Sequence, residues 1–185
     1  LNKFEKYEEN LHKLKKESVG ISHESYEFNK NHYALSIDAA TPVSAYRNDL
    51  IEKIPKTFEE VLYLAEAKKV MWPVKPVDSI SSFNTIAANM GYPLNQENEI
   101  FIDNDISLLI LKMMKRLVDL IPQDCLSMNP IQTLDYMSSN NDIVYCPLLY
   151  GYSNYSRKGF RQSIINFTNT PSFTDDRNNC SGSQI

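Results

Sequence analysis

The spacing of apolar residues predicts helices over much of the second half of the chain. The clearest helix runs from residue 106 to residue 121, where Ile, Leu and Met recur at helical spacing and Lys and Arg lie opposite. Asp103 to Asp105 precede it and are suited to cap its first turn. Asn129-Pro130 predicts the start of another helix, because a capping residue followed by proline favours helix initiation. We interpret the apolar face of the 106–121 helix as core.

Two capped helices are also expected in the first half of the chain. Thr57 and Glu60 form a Thr-x-x-Glu pattern before an apolar run. In such a capping box the threonine hydroxyl accepts from the third amide of the helix and the glutamate reaches back. Asn48 or Asp49 is expected to cap a shorter helix that ends near Ile54.

Extended segments are predicted on both sides of these helices. Residues 33–46 alternate small or apolar residues with polar ones, and Asp38 is their only charged residue. This pattern indicates an extended, largely buried segment, in which Pro42 should stand at an edge or between two short strands. Residues 143–149 and 163–167 are predicted to form two later strands.

A buried strand followed by a helix is expected over residues 69–91. The run 69–74 is apolar and interrupted by proline, and Asp78 or Ser79 is expected to cap a helix that stops at Gly91. The run contains Trp72, the only tryptophan. Its strand context favours core packing over stacking against a ligand.

Composition excludes several classes of function. The chain has 185 residues, 42% hydrophobic and 23% charged, which is an ordinary globular balance able to build one good core or two small ones. A net charge of −4 argues against nucleic-acid binding. The three cysteines show no metal-binding spacing, and no glycine-rich phosphate loop is present. We therefore predict no cofactor and no metal. No apolar run has the length of a membrane helix, and the N-terminus shows no signal region.

Several short motifs follow one another in a specific order: Tyr33-Ala34, Asp38-Ala39, Tyr46, Asp49-Leu50 and Pro55-Lys56-Thr57-Phe58-Glu59-Glu60. In this order and spacing they resemble the first lobe-crossing region of family 1 extracellular solute-binding proteins. These are the maltose-binding-like receptors of ABC sugar importers. In that family an extended segment crosses between two α/β lobes, and a Pro-x-Thr-(Trp/Phe)-x-Glu run opens a helix of the second lobe.

The resemblance implies an α/β, periplasmic-binding-protein-like fold of type II. We expect a helix-rich partial second lobe with a short remnant of the first. The expected boundaries are 1–45 for the end of the first lobe and the crossing, 46–173 for the second lobe, and 174–185 for a return loop towards the hinge. Because Gly182-Ser183-Gln184-Ile185 resembles a motif cut off midway, we expect a fragment whose exposed surfaces would allow self-association.

The same resemblance implies a carbohydrate site. In the family an acid at the position of Asp38 bonds sugar hydroxyls, a loop at 79–83 faces the ligand, and an aromatic loop at 150–157 covers one face of the sugar. Tyrosine faces suit the apolar C–H face of a pyranose, while hydroxyls and amides bond its rim. The predicted ligand-binding residues are Asp38, Ser82, Phe83, Tyr150, Tyr152 and Asn154, with no catalytic residue.

These expectations predict a receptor that binds sugar between two lobes and delivers it to the membrane permease of an ABC importer. Its parent protein would be periplasmic, or extracellular and anchored as a lipoprotein. A carbohydrate-active enzyme is the alternative, but it needs two carboxylates about 5–10 Å apart, and Asp38 is the only acid in the proposed cleft segments. A protein-interaction domain is the third possibility.

Overall fold

The computed structural model describes residues 7–38, 40–94 and 101–173, which form two compact units. The first unit extends to Thr41 and the second begins at Pro42. The predicted assignment of residues 1–45 and 46–173 to two lobes stays a prediction, and the return loop 174–185 lies outside the described residues. The helices are α1 (Glu8–Glu17), α2 (Phe58–Glu66), α3 (Pro76–Asn89), α4 (Asn104–Val118) and α5 (Pro130–Ser139). The strands are β1 (Glu27–Phe28), β2 (Asn31–His32), β3 (Pro42–Tyr46), β4 (Tyr145–Tyr150) and β5 (Asn166–Thr168).

The second unit contains an antiparallel three-stranded sheet in the order β4-β3-β5. Pro42 begins β3 opposite Tyr150, and the pairing of β3 with β5 starts only at Ser44. The proline therefore stands at a strand end where one neighbour is paired, a position that tolerates its missing N–H.

The expected burial of residues 33–46 is only partly correct. Strand β3 covers residues 42–46, but Ile37 is 98% exposed and Tyr33 is 58% exposed. Among the described residues of the first unit, 33–38 and 40 join no strand. Alternation alone does not bury a segment, since burial needs a facing layer that packs against it.

An irregularity in β3 is stabilised by two hydroxyls. The register between β3 and β4 shifts at Ser44, where the Ser44 hydroxyl accepts from the Tyr145 hydroxyl (2.9 Å) and donates to the carbonyl oxygen of Pro147 (2.8 Å). Both side chains are fully buried, and burial raises the pKa of Tyr145 well above its ordinary value. These bonds satisfy polar atoms that would otherwise be buried without partners.

Helix α2 begins at the predicted cap. The Thr57 hydroxyl accepts from the amide of Glu60 (3.3 Å), and the Glu60 carboxylate accepts from the amide of Lys56 (2.7 Å). The glutamate thus reaches back one residue further than in the expected capping box. The predicted short helix ending near Ile54 is wrong, because residues 48–50 form a turn in which the amides of Leu50 and Ile51 both donate to the Arg47 carbonyl oxygen.

That turn is held by a buried arginine, which the sequence reasoning missed. Arg47 is 2% exposed, and its Nε and Nη2 donate to the two carboxylate oxygens of Asp49 (2.8 and 2.7 Å). Nη1 donates to the carbonyl oxygens of Met137 and Asn140, and Nη2 also reaches the side chain of Asn141 (3.1 Å). All five guanidinium N–H groups are used, so Arg47 joins the end of β3 to the C-terminal end of α5.

Helix α3 starts earlier than predicted. Its cap is Lys75 with Pro76 as the first helical residue, and the helix continues to Asn89 before Gly91 takes a positive φ of 87°. The residues 79–83, expected as a ligand-facing loop, are therefore helical. Proline suits a first helical position because its missing N–H has no partner there in any case.

Helices α4 and α5 have the caps that the sequence predicts. Asp103 caps α4 by accepting from the amides of Asp105 (2.8 Å) and Ile106 (3.2 Å). Asn129 and Gln132 form a capping box on α5, with both bonds at 2.9 Å. The buried face of α4 differs in detail from the prediction, because Leu109 is 44% exposed whereas Met114 is buried.

Candidate functional site

A small cavity in the second unit lies between α3 and the end of β4. Its volume is about 10 Å³, close to the space that one water molecule occupies. Two prolines and two leucines form the apolar part of its wall. The polar side chains that line it are Asp78, Ser81, Ser82 and Tyr150.

Asp78 is the most unusual residue of this cavity. It is 8% exposed, and among the described residues its buried Oδ2 has no hydrogen-bond partner. Burial raises the pKa of Asp78, an effect that nearby Lys75 opposes. A buried carboxyl oxygen without a donor is costly, and the positive end of the α3 dipole compensates for only part of that cost. This arrangement makes Asp78 a candidate ligand-binding residue.

Tyr150 is tied to α3 from the opposite wall. Its hydroxyl lies 3.0 Å from the hydroxyl of Ser81, and the two share a hydrogen bond. Its ring is half-buried at the end of β4. The bond fixes the ring direction, so that an aromatic face and a hydroxyl are held at the cavity rim.

Ser82 also lines the cavity, but its hydroxyl has a structural bond. The indole Nε1 of Trp72 donates to Ser82 Oγ over 3.1 Å, and the two residues are 1% and 4% exposed. The prediction that Trp72 packs in the core is confirmed. Phe83 is half-buried and packs against the same core. The ligand-binding roles predicted for Ser82 and Phe83 stay predictions.

The aromatic loop after β4 is exposed except for one anchor. Tyr152 is 43% exposed, and the exposed Asn154 accepts through Oδ1 from Arg157 (3.2 Å). Tyr155 is 3% exposed and donates to Asp135 (2.7 Å), and burial together with that carboxylate raises its pKa to about 12. The loop is thus held on α5, while Tyr152 and Asn154 remain open to solvent.

Asp38, the acid singled out from the sequence, lies in the first unit and is exposed. The Ser36 hydroxyl donates to its backbone oxygen (3.3 Å). Its grouping with Tyr150 and Tyr152 stays a prediction. From the sequence, Asp78 was assigned only a possible role as a helix cap. A sequence signal for a polar cluster did exist, because Asp78 lies in the first turn after Pro76 and two serines follow one turn further on.

Neither a metal centre nor a membrane helix is found in the part of the chain that the structure describes. Over residues 7–38, 40–94 and 101–173, no three His, Cys, Asp or Glu side chains are grouped so as to hold a metal ion. Within the same ranges no helix has both the length and the apolar character needed to cross a bilayer.

Comparison with solved structures identifies the fold. No protein-family model and no curated protein matches the chain. Among solved structures it is similar to maltose-bound MalE3 of T. maritima (13% identity, TM-score 0.72, 92% of this chain and 48% of that one). It is also similar to an ABC transporter solute-binding protein of Agrobacterium radiobacter K84 in complex with ribitol (15%, 0.73, 95% and 49%).

A third similar structure is UgpB of Mycobacterium tuberculosis in complex with glycerophosphocholine (12% identity, TM-score 0.60, 90% of this chain and 46% of that one). The chain has the fold of a solute-binding protein. This confirms the predicted α/β, periplasmic-binding-protein-like fold of type II. The chain spans about half the length of the structures it matches.

Proposed function

We propose that the chain acts in solute capture for an ABC importer, with a carbohydrate or polyol as its ligand. The observation that carries this proposal is the buried, unsatisfied oxygen of Asp78 beside the Ser81–Tyr150 hydrogen bond. It is supported by the fold, which is shared with a maltose-bound and a ribitol-bound protein.

The chemistry of the cavity suits one ligand hydroxyl. A sugar or polyol O–H would donate to Asp78 Oδ2 and restore the missing hydrogen bond, and the Tyr150 ring would pack against the adjoining C–H face. The cavity has room for about one such group. The exposed Tyr152 and Asn154 offer further contacts for the rest of the ligand. Neither bond formation nor bond cleavage is needed.

The alternative, a carbohydrate-active enzyme, is less well supported. Glycoside hydrolysis uses two carboxyl groups about 5–10 Å apart, and Asp78 is the one carboxylate among the residues that line the cavity. We therefore propose binding without turnover. A glycosidase assay that releases product from any sugar bound by the chain would favour the enzyme.

The partners follow from the same proposal. A receptor of this type would pass its ligand to a membrane permease and would work in the periplasm or outside the cell. We also propose that the parent protein of an extracellular receptor carries a lipid anchor. The predicted self-association also stays a prediction, and light scattering tests it directly. The protein-interaction alternative predicts that sugars do not bind at any concentration.

Calorimetric titration with mono- and oligosaccharides and polyols, extended to millimolar concentrations, tests the proposal. The best ligand should lose about 1.5–3 kcal/mol of binding free energy in Asp78→Asn. Asp105→Asn, which removes an exposed acid in the first turn of α4, is the matched control and should leave affinity unchanged. Asp38→Ala tests the original site prediction in the same titration. If no ligand binds, or if the two Asn variants behave alike, the proposal fails.

A further inference from the structure

All three histidines of the chain line one cavity in the first unit. The cavity has a volume of about 260 Å³, and helix α1 contributes His12 and Lys15 to its wall. The β1–β2 hairpin contributes Glu27, Lys30 and His32. Five of the lining side chains are thus basic or can become so, in a unit of only about forty residues. The proposed sugar site uses none of them.

Two of the histidines form a stacked pair. The ring centroids of His23 and His32 lie 4.2 Å apart with an angle of 28° between the planes, and the residues are 4% and 7% exposed. Burial, the neighbouring His32 and then Lys15 lower the pKa of His23. A proton on His23 would place a positive charge against the stacked ring of His32, so the arrangement disfavours the charged form of His23.

The charges around the cavity nearly cancel at neutral pH. Lys15 pairs with Glu24 (2.8 Å), and Glu27 is the carboxylate that lines the wall together with Lys30. With neutral histidines, two lysines therefore face two glutamates. Each histidine that takes up a proton adds one positive charge to this wall.

We propose that this histidine–lysine cavity is a pH-dependent binding site for a small phosphate-like oxyanion. Imidazolium and ammonium groups would donate charge-assisted hydrogen bonds to its oxygens, and the anion would offset the repulsion between the stacked rings. Binding of the anion and protonation of the protein are then linked. The anion binds more tightly as the pH falls, and the protein takes up protons when the anion binds. Lys30 can contribute because it lines the cavity from the tight turn between β1 and β2, where its φ is 62°.

Titration of the full chain with inorganic phosphate at constant ionic strength tests this site. We expect the Kd at pH 5.5 to be about tenfold lower than at pH 8, the effect of one favoured protonation. Calorimetry in buffers of different ionisation enthalpy should detect proton uptake at pH 5.5, where phosphate is already the monoanion and the proton is taken up by the protein. Phosphate that fails to bind at pH 5.5, or binds without proton uptake, overturns the proposal.

Two lysine substitutions distinguish phosphate binding in the cavity from general attraction to surface charge. Lys30→Gln should weaken phosphate binding several-fold, whereas Lys16→Gln removes the same charge from an exposed position of α1 that does not line the cavity and should have little effect. Both positions are exposed, so neither change should unfold the chain. His23→Gln should additionally abolish part of the pH dependence. Equal effects of the two lysine changes would show surface attraction only and contradict the site.

The oxyanion is proposed to be a free solute rather than a lipid headgroup. Vesicles of phosphatidylglycerol and phosphatidylcholine should therefore not sediment the protein at pH 5.5, and free phosphate should bind with or without them. Sedimentation that Lys30→Gln prevents would assign the cavity to a lipid phosphate and overturn the free-solute assignment. This test is independent of sugar binding, which concerns residues of the second unit.

Discussion

The indole nitrogen of Trp72 lies 3.1 Å from the hydroxyl of Ser82, and this bond connects the hydrophobic core to the wall of the candidate sugar site. Trp72 is 1% exposed, so its N–H has no access to water. Ser82 is therefore a partner of the core as well as a lining residue of the cavity.

Ser82→Ala should lower the free energy of unfolding by about 1–3 kcal/mol, because it leaves a buried indole N–H without an acceptor. Urea denaturation followed by the fluorescence of the only tryptophan measures the change. Ser153→Ala, an exposed serine in the loop after β4, is the control and should change stability by less than about 0.5 kcal/mol. Equal stability of the two variants would show that the Trp72–Ser82 bond contributes nothing.

Replacement of Arg47 should be more damaging. Arg47→Lys keeps the charge but supplies three donors where five are used, and it leaves buried carbonyl oxygens at the end of α5 unsatisfied. We expect a loss of about 3 kcal/mol or more in the free energy of unfolding. Arg157→Lys, in the exposed loop, should be nearly neutral in the same denaturation experiment. A mild effect at Arg47 would mean that the guanidinium geometry is unimportant.

Asp78→Asn should stabilise the protein while it weakens the binding of solute. The folded-state pKa of Asp78 is raised by burial, so the folded state holds this proton more tightly than the unfolded chain. Stability is consequently lost as the pH rises from the unfolded value of about 3.9 through the folded pKa.

The gain from Asp78→Asn at pH 7 should be about 0.5–2 kcal/mol, the usual range for stabilising changes at functional sites, and it should shrink below about pH 4. Thermal unfolding of both proteins across this pH range checks the sign. An Asn variant that is less stable at pH 7 would indicate that Asp78 is structural rather than kept for a ligand.

Gly151→Ala should destabilise the sheet because no space exists for a methyl group. A Cβ at this position would lie 2.8 Å from Val43 Cγ2 and 3.4 Å from the Phe167 ring. Overpacking of this kind costs about 1–3 kcal/mol. Combining it with Val43→Ala should recover part of the loss, so a double-mutant cycle in urea should show coupling; strictly additive effects would contradict the contact.

Local signals in the sequence predicted the starts of three helices. The Thr57 cap, the Asp103 cap and the Asn129 capping box depend on residues within one turn, and each is present in the structure. The burial of residues 70–74 was also predictable from their apolar run, although only Val70 forms a bridge, to Tyr145.

Features that depend on distant partners were not predictable. No local pattern indicated that Arg47 is buried, because its carbonyl acceptors, Met137 and Asn140, lie about ninety residues further along the chain. Asp78 shares its cavity with residues of β4 that lie about seventy positions further along the chain, and it was expected to cap α3, which instead begins at Pro76. A single sequence shows the chemistry of these side chains but not the neighbours that remove them from water.

The central position of β3 has a consequence for synthesis on the ribosome. Its hydroxyl and backbone partners in β4 lie just over one hundred residues downstream, as in the Ser44–Tyr145 bond. At about 5–20 residues per second, the nascent strand waits on the order of 5–20 s for its first partner. During that interval both of its edges are unpaired and can pair with other chains.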